Sequence, residues 1–249
     1  MMRIRLAIGI ALLAVGMPAF AGTIYAFQTV IDPADPNFTR LLGIDNSGVI
    51  AGYSGDGTIV GNSGFTLVLP GTYTAENFPG SVQTQVAGID GFGETVGFYA
   101  DAGGVTHGFT DVGGTFASVD DPNTTTLTEL LGVNASGEAV GYYKDSLGNS
   151  APFTWQGGSF TPITFTGLVS AQATGVNNAG DIVGFNLTGS SASNGFLDIG
   201  GIFSVIDYPG SSFTQALGID NAGQVVGDYI DGSGGRHGFV YNIASGTFQ

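Results

Sequence analysis

The sequence predicts an all-β protein: a five-bladed β-propeller of four-stranded repeats, each about 43–45 residues long. Three observations predict it. A Gly-aliphatic-Asp/Asn core recurs five times, at Gly43-Ile44-Asp45, Gly88-Ile89-Asp90, Gly132-Val133-Asn134, Gly175-Val176-Asn177 and Gly218-Ile219-Asp220. Glycine, 44 residues in all, punctuates short apolar runs throughout a chain that is 43% hydrophobic. No stretch carries helical periodicity.

Residues 1–21 read as an export signal. Arg3 and Arg5 precede an apolar run, Leu6 to Val15, that is too short to span a bilayer, and Ala19-Phe20-Ala21 supplies a small-x-small cleavage pattern. An uncleaved anchor is the alternative. The expected mature domain is 22–249, a single five-repeat propeller destined for the periplasm or the cell exterior.

The repeat then runs from the first glycine of each core, the anchor. A second glycine follows five residues on (Gly48, Gly93, Gly137, Gly180, Gly223) and a third nine residues on (Gly52, Gly97, Gly141, Gly184, Gly227). Two aromatics close each unit, as in Phe196 and Phe203. In the fifth repeat, Thr214 to Ile219 is a strand and Asp220-Asn221-Ala222-Gly223 a turn. Asp or Asn opening such a turn bonds the backbone two residues on, and the closing glycine accepts positive φ. Gln224 to Tyr229 returns, Asp231 to Gly235 reverses the chain again, and His237 to Tyr241 is the third strand. The fourth is the type Phe203 to Asp207. A lone four-stranded sheet cannot bury both faces, whereas blades around an axis cover one another; a parallel β-helix is the rival, with shorter coils. Tyr25 to Asp32 matches the fourth-strand pattern, and the C-terminus stops at Thr247-Phe248-Gln249. The N-terminal segment is therefore expected to complete the last blade and close the ring.

These residues resemble the HAF-type extracellular repeat family of bacteria. The likeness is carried by Phe203 to Gly210, Gly218 to Gly227 and His237-Gly238-Phe239, and extends over Phe27 to Phe248. Gly108 and Gly238 stand where the family's name-giving His-Ala-Phe step has Ala, and Ser63, Ala151 and Asn194 replace its His. The resemblance implies an extracellular repeat protein and brings no catalytic residues with it.

Composition narrows the partners. Beyond residue 21, Arg40, Lys144 and Arg236 are the cations set against 20 acidic side chains. Such a surface repels phosphate backbones and anionic headgroups, so neither nucleic acid nor membrane is an expected partner. The absence of cysteine excludes disulfides, thiolate catalysis and Cys-ligated metals. No cofactor is implied: the glycine-rich segments precede strands, so no helix N-terminus cradles a phosphate.

Candidate chemistry is sparse. His107 and His237 share one repeat position, which reads as framework rather than as an acid–base pair. Asp56, Asp101, Asp145 and Asp231 fall four residues after the third glycine, where the fourth repeat has Thr188; they are weak candidates for a cation and good turn openers. Trp155, with Asp111, Asp198 and Tyr241 at the same repeat position, varies within a constant frame, as a recognition surface would. Tyr143 and Tyr229 complete the speculative ligand-binding set. The reading that follows is a secreted, non-enzymatic binding or surface-interaction module, whose partner is an extracellular glycan or a cell-surface protein. A glycoside hydrolase using funnel carboxylates, and a purely structural envelope protein, are the alternatives.

Overall fold

Turn chemistry sets where every strand ends. The computed structural model describes residues 28–33, 38–55, 61–189 and 192–249. Within them the chain forms five four-stranded antiparallel sheets, each built from consecutive strands. Blade 1 comprises β1 (Thr39–Ile44), β2 (Val49–Ser54), β3 (Ser63–Val68) and β4 (Thr72–Ala75). Blade 2 comprises β5 (Gln83–Ile89), β6 (Thr95–Ala100), β7 (Thr106–Val112) and β8 (Thr115–Val119). Blade 3 comprises β9 (Thr128–Val133), β10 (Ala139–Lys144), β11 (Ser150–Gln156) and β12 (Ser159–Pro162). Blade 4 comprises β13 (Ala171–Val176), β14 (Ile182–Leu187), β15 (Ser193–Ile199) and β16 (Ile202–Ile206). Blade 5 comprises β17 (Thr214–Ile219), β18 (Gln224–Ile230), β19 (Arg236–Asn242) and β20 (Thr247–Phe248). The architecture is a five-bladed β-propeller, as the repeat predicts.

Each recurring residue has a mechanical reason. The Asp or Asn after the anchor accepts two backbone N–H groups; Asp90 Oδ1, for example, takes Phe92 N and Glu94 N, each at 2.8 Å. A bulge beside the anchor puts an extra residue into the innermost strand of every blade, which sharpens its twist. The third glycine is a close approach. A Cβ on Gly184 would lie 2.1 Å from Gln172 O and 2.6 Å from the Phe196 ring. Glycine there lets the aromatic of the third strand lie flat across the second.

The cores lie between blades, one to each joint. Ala51 of blade 1 meets Val86, Ile89 and Phe109 of blade 2. Val96 meets Leu130, Val133 and Phe153 at the next joint. Val140 meets Ala173, Val176 and Phe196 between blades 3 and 4, and Val183 meets Ala216, Val225 and Phe239 between blades 4 and 5. Phe109 and Phe153 are wholly buried, each contributing roughly 1.5–3 kcal/mol by area.

The closing strand differs from expectation. Residues 25–27 lie outside the described residues, Gln28 to Asp32 carry no strand, and the fourth strand of blade 5 is β20, paired with β19. The reason is local. β20 follows β19 through a short turn closed by Gly246 at φ 66°, so the C-terminus supplies the strand from nearby. Asp32 instead leads into blade 1: its backbone N–H donates to Thr39 Oγ1 at 3.0 Å, as Asp121 N donates to Thr128 Oγ1 at 3.1 Å in blade 3. The expected signal, residues 1–21, lies outside the described residues. Among those described, no helix is long and apolar enough to cross a membrane.

Candidate functional site

The turns of one end of every blade converge on the axis. They line a channel of about 570 Å³ with Asp45, Asp90, Asn134, Asn177 and Asp220 at equivalent places. These side chains hold their own turns: Asp45 Oδ1 accepts from Ser47 N and Val49 N, and Asp220 Oδ1 from Ala222 N and Gln224 N. The channel is a symmetric consequence of the repeat.

The opposite end breaks that symmetry. Between blades 1 and 2, Phe78 of the connecting segment stacks on Tyr99 of the following blade, centroids 3.7 Å apart. Between blades 4 and 5, Tyr208 stacks on Tyr229 at 3.5 Å. Phe165 holds the same position between blades 3 and 4, but the residue awaiting it is Asn186. Without a ring to clasp, Phe165 keeps only the inward ring contacts that Phe78 and Tyr208 also make, to Phe203 at 4.6 Å and Phe196 at 5.3 Å. Asn186 spends its amide on the connecting segment, accepting from Val169 N at 3.1 Å and donating to Gly167 O at 3.0 Å.

The result is a groove of about 630 Å³. Phe165 and Phe203 supply its apolar wall; Thr164, Thr166, Thr188 and Ser204 supply hydroxyls; and Asn194 an amide. Blade 4 departs from blades 2 and 5 at three positions together here: Asn186 for Tyr99 and Tyr229, Thr188 for Asp101 and Asp231, Asn194 for His107 and His237. Asn194 Nδ2 donates to Asp207 Oδ2 at 2.8 Å, which leaves its carbonyl oxygen as an acceptor. Burial pushes the Asp207 carboxyl up, against the lowering effect of hydrogen bonds from Gly195 and Asn194.

In blades 2 and 5 the corresponding cluster is filled. His107 Nδ1 lies 2.7 Å from Asp120 Oδ1 with its ring stacked on Tyr99. His237 Nε2 lies 2.8 Å from Asp231 Oδ2 and stacks on Tyr229. The Ser233 hydroxyl, the His237 ring and the Gly235 and Ser233 N–H groups hold Asp231 well below the usual carboxylate range. Asp101 and Asp145 likewise accept two backbone N–H groups each at Oδ1. Asp56 lies outside the described residues. Among those described, no group of three or more His, Asp or Glu side chains is placed to hold a metal ion.

The six residues singled out for ligand binding fall at two ends of the blades. Trp155 is half-buried against the core between blades 2 and 3, across from Phe160. Tyr241 packs on Phe248 at 4.8 Å. Asp198 is buried and accepts from Gly201 N at 2.7 Å; Asp111 is buried and accepts from the Gly114 and Thr115 backbone. Both anchor the hairpin to the fourth strand. Tyr143, beside Phe153, and Tyr229, under Tyr208, stand at the other end. The groove itself was visible in sequence only as an omission: the fourth repeat lacks the tyrosine that follows the third glycine elsewhere.

No protein-family model and no curated protein sequence matches the chain. Solved structures do. TolB from Acinetobacter baumannii aligns with a TM-score of 0.56 at 12% identity, covering 80% of this chain and 53% of TolB; the chain thus spans about half of that protein. The fucose-binding lectin of the fungus Aleuria aurantia, a six-bladed β-propeller, aligns at 0.53 and 14% identity over 86% of this chain and 78% of the lectin. A chain of a nidogen/laminin complex gives 0.55 at 12% identity, over 86% and 80%. At such identities the likeness establishes the propeller fold.

Proposed function

We propose that this protein is an exported, non-enzymatic propeller that binds carbohydrate in the groove between blade 4 and the segment that leads into it from blade 3. The observation that carries the reading is the composition of that groove: aromatic faces beside hydroxyls and an amide, at a joint without the aromatic clasp that Phe78 and Tyr208 make elsewhere. A sugar presents an apolar face of C–H groups and a rim of hydroxyls, and such a lining answers both. The fold it shares with a fungal fucose lectin supports a binding role without specifying the sugar. Export through the N-terminal segment, and kinship with HAF-type repeats, belong to the same proposal.

A glycan array followed by calorimetry tests it. Phe203→Ala and Asn194→Ala should each weaken binding at least about tenfold, equivalent to roughly 1.4 kcal/mol. Tyr241→Phe, remote from the groove, should leave it unchanged. No binding at millimolar saccharide, or binding indifferent to both groove substitutions in folded protein, would overturn the assignment.

A further inference from the structure

The turns around the axial channel obey a pairing rule that one blade breaks. Two side chains decide it: the Asp or Asn two residues after the anchor, and the residue four further on. The pairs are Asp45 with Val49, Asp90 with Glu94, Asn134 with Glu138, Asn177 with Asp181 and Asp220 with Gln224. In four blades an acidic second member goes with Asn and a neutral one with Asp. Blade 2 sets Asp beside an acid.

The amide has a definite task in blades 3 and 4. Asn134 Nδ2 donates to Glu138 Oε2 and to Asn177 O of the next blade, both at 3.0 Å. Asn177 Nδ2 donates to Asp181 Oδ2 at 2.9 Å and to Asp220 O at 3.4 Å. One donor thus serves two acceptors at each of these joints. In blade 2 the matching atom is Asp90 Oδ2, itself an acceptor, and its corresponding neighbours are the Glu94 carboxylate and the Asn134 carbonyl. Asp90 is 5% exposed. Its Oδ1 takes Phe92 N and Glu94 N, and among the described residues no hydrogen bond reaches Oδ2. Burial, and then the Asp90 charge, pushes the Glu94 carboxyl up. Acceptors gathered without a donor are costly to bury, so the cluster calls for a positive group from outside.

The surroundings say which kind. A pocket of about 380 Å³ opens between blades 2 and 3, with Asp90 and Glu94 in its lining beside Phe92, Val112 and Ser136. Phe92 is 83% exposed and Val112 59%. The counterparts of Phe92 in the other blades are Ser47, Ser136, Ala179 and Ala222, so the turn itself does not need an aromatic there. A bare metal ion has no use for such a rim. Carboxylates beside an exposed ring and an aliphatic side chain suit an ammonium carried on methylenes. The 20 acidic side chains, set against five Lys and Arg, draw such a ligand in at long range.

We propose that this pocket binds a primary alkylammonium, its charged head at Asp90 and Glu94, in place of the amide that blades 3 and 4 supply, and its methylenes against Phe92 and Val112. Two sources carry that group: the side chain of a lysine and a free aliphatic diamine. The pocket lies at the channel end of the blades, away from the groove beside Phe165, so it stands or falls independently of the carbohydrate reading.

Amide NMR of the full-length protein, at about 0.15 M salt to screen loose surface attraction, tests it. The protein is titrated separately with Nα-acetyl-lysine methylamide, cadaverine, ammonium chloride and calcium chloride. The expected result is saturable shifts at Gly93, Glu94 and Gly137 with the first two, at roughly millimolar Kd. Asp90→Asn, which restores the pairing of blades 3 and 4, should weaken binding at least about tenfold. Glu94→Gln should do the same and guards against a folding defect in the first variant. Phe92→Ala, at an exposed position, should weaken it about threefold. Binding of the lysine derivative as tight as that of cadaverine assigns a lysine side chain as the source; tighter binding of cadaverine assigns a free polyamine. Shifts that never saturate, that persist undiminished in Asp90→Asn and Glu94→Gln, or that ammonium or calcium ions reproduce at the same concentration would overturn the proposal.

Discussion

Glu129 offers a sharp test of how the inner strands are solvated. It sits on β9 opposite Tyr142 of β10, where the matching positions of blades 2, 4 and 5 carry Gln85, Gln172 and Gln215. Burial pushes its carboxyl up to about 7 from the usual 4.5, against the lowering effect of a hydrogen bond from Tyr142 and of the Lys144 charge. The same contact, added to burial, drives the Tyr142 hydroxyl far above its ordinary value. Because the folded-state value is raised, the folded chain holds this proton more tightly than the unfolded one. Its stabilising contribution is complete below about pH 4.5 and is lost as pH rises through about 7. At about 1.4 kcal/mol per pH unit, the loss amounts to roughly 2–3 kcal/mol for this half-buried side chain. Glu129→Gln, the residue other blades already use, should therefore match the native protein near pH 4 and exceed it by that margin at pH 8. Urea unfolding followed by the fluorescence of Trp155, the single tryptophan, measures both. An equal or lower stability for the variant at pH 8 would refute the reasoning.

Other outcomes follow from the geometry. Gly184→Ala should cost on the order of 3 kcal/mol or more in the same assay, since its new methyl strikes a backbone carbonyl and the Phe196 ring. Tyr208→Leu removes the stack on Tyr229 and should cost about 1 kcal/mol beyond the area lost, read from the denaturation midpoint. Asp90→Ala frees two turn N–H groups and should cost about 1–2 kcal/mol, whereas Asp90→Asn, the choice made at Asn134 and Asn177, should be nearly neutral by thermal melting.

The architecture was legible because its causes are local and recur. Thr214–Ile219 is predicted and found as a strand with the same limits, and β18 and β19 depart from prediction by a residue at their ends. The closing strand was not legible. Tyr25 to Asp32 carries the fourth-strand pattern, but so does any segment leading into a blade, and proximity favoured Thr247–Phe248. The groove was hidden for the opposite reason. Attention to what repeats finds Tyr99, Tyr143 and Tyr229, and passes over Asn186, whose meaning depends on Phe165 reaching it from the preceding blade. A side chain's role there is set by a neighbour across a joint, which a single repeat does not display.

The missing clasp opposite Asn186 also bears on how the molecule comes apart. Blades touch only their neighbours, so cohesion accumulates interface by interface, much as in a row of stacked tiles. Where Phe78 grips Tyr99 and Tyr208 grips Tyr229, adjoining sheets are riveted at the rim. Blades 3 and 4 forgo that rivet at Asn186, and blades 2 and 3 forgo it at Asp121-Pro122, which makes these boundaries natural places for the ring to breathe. A guest lodged beside Phe165 would act as the absent fastener, tightening the seam between blades 3 and 4.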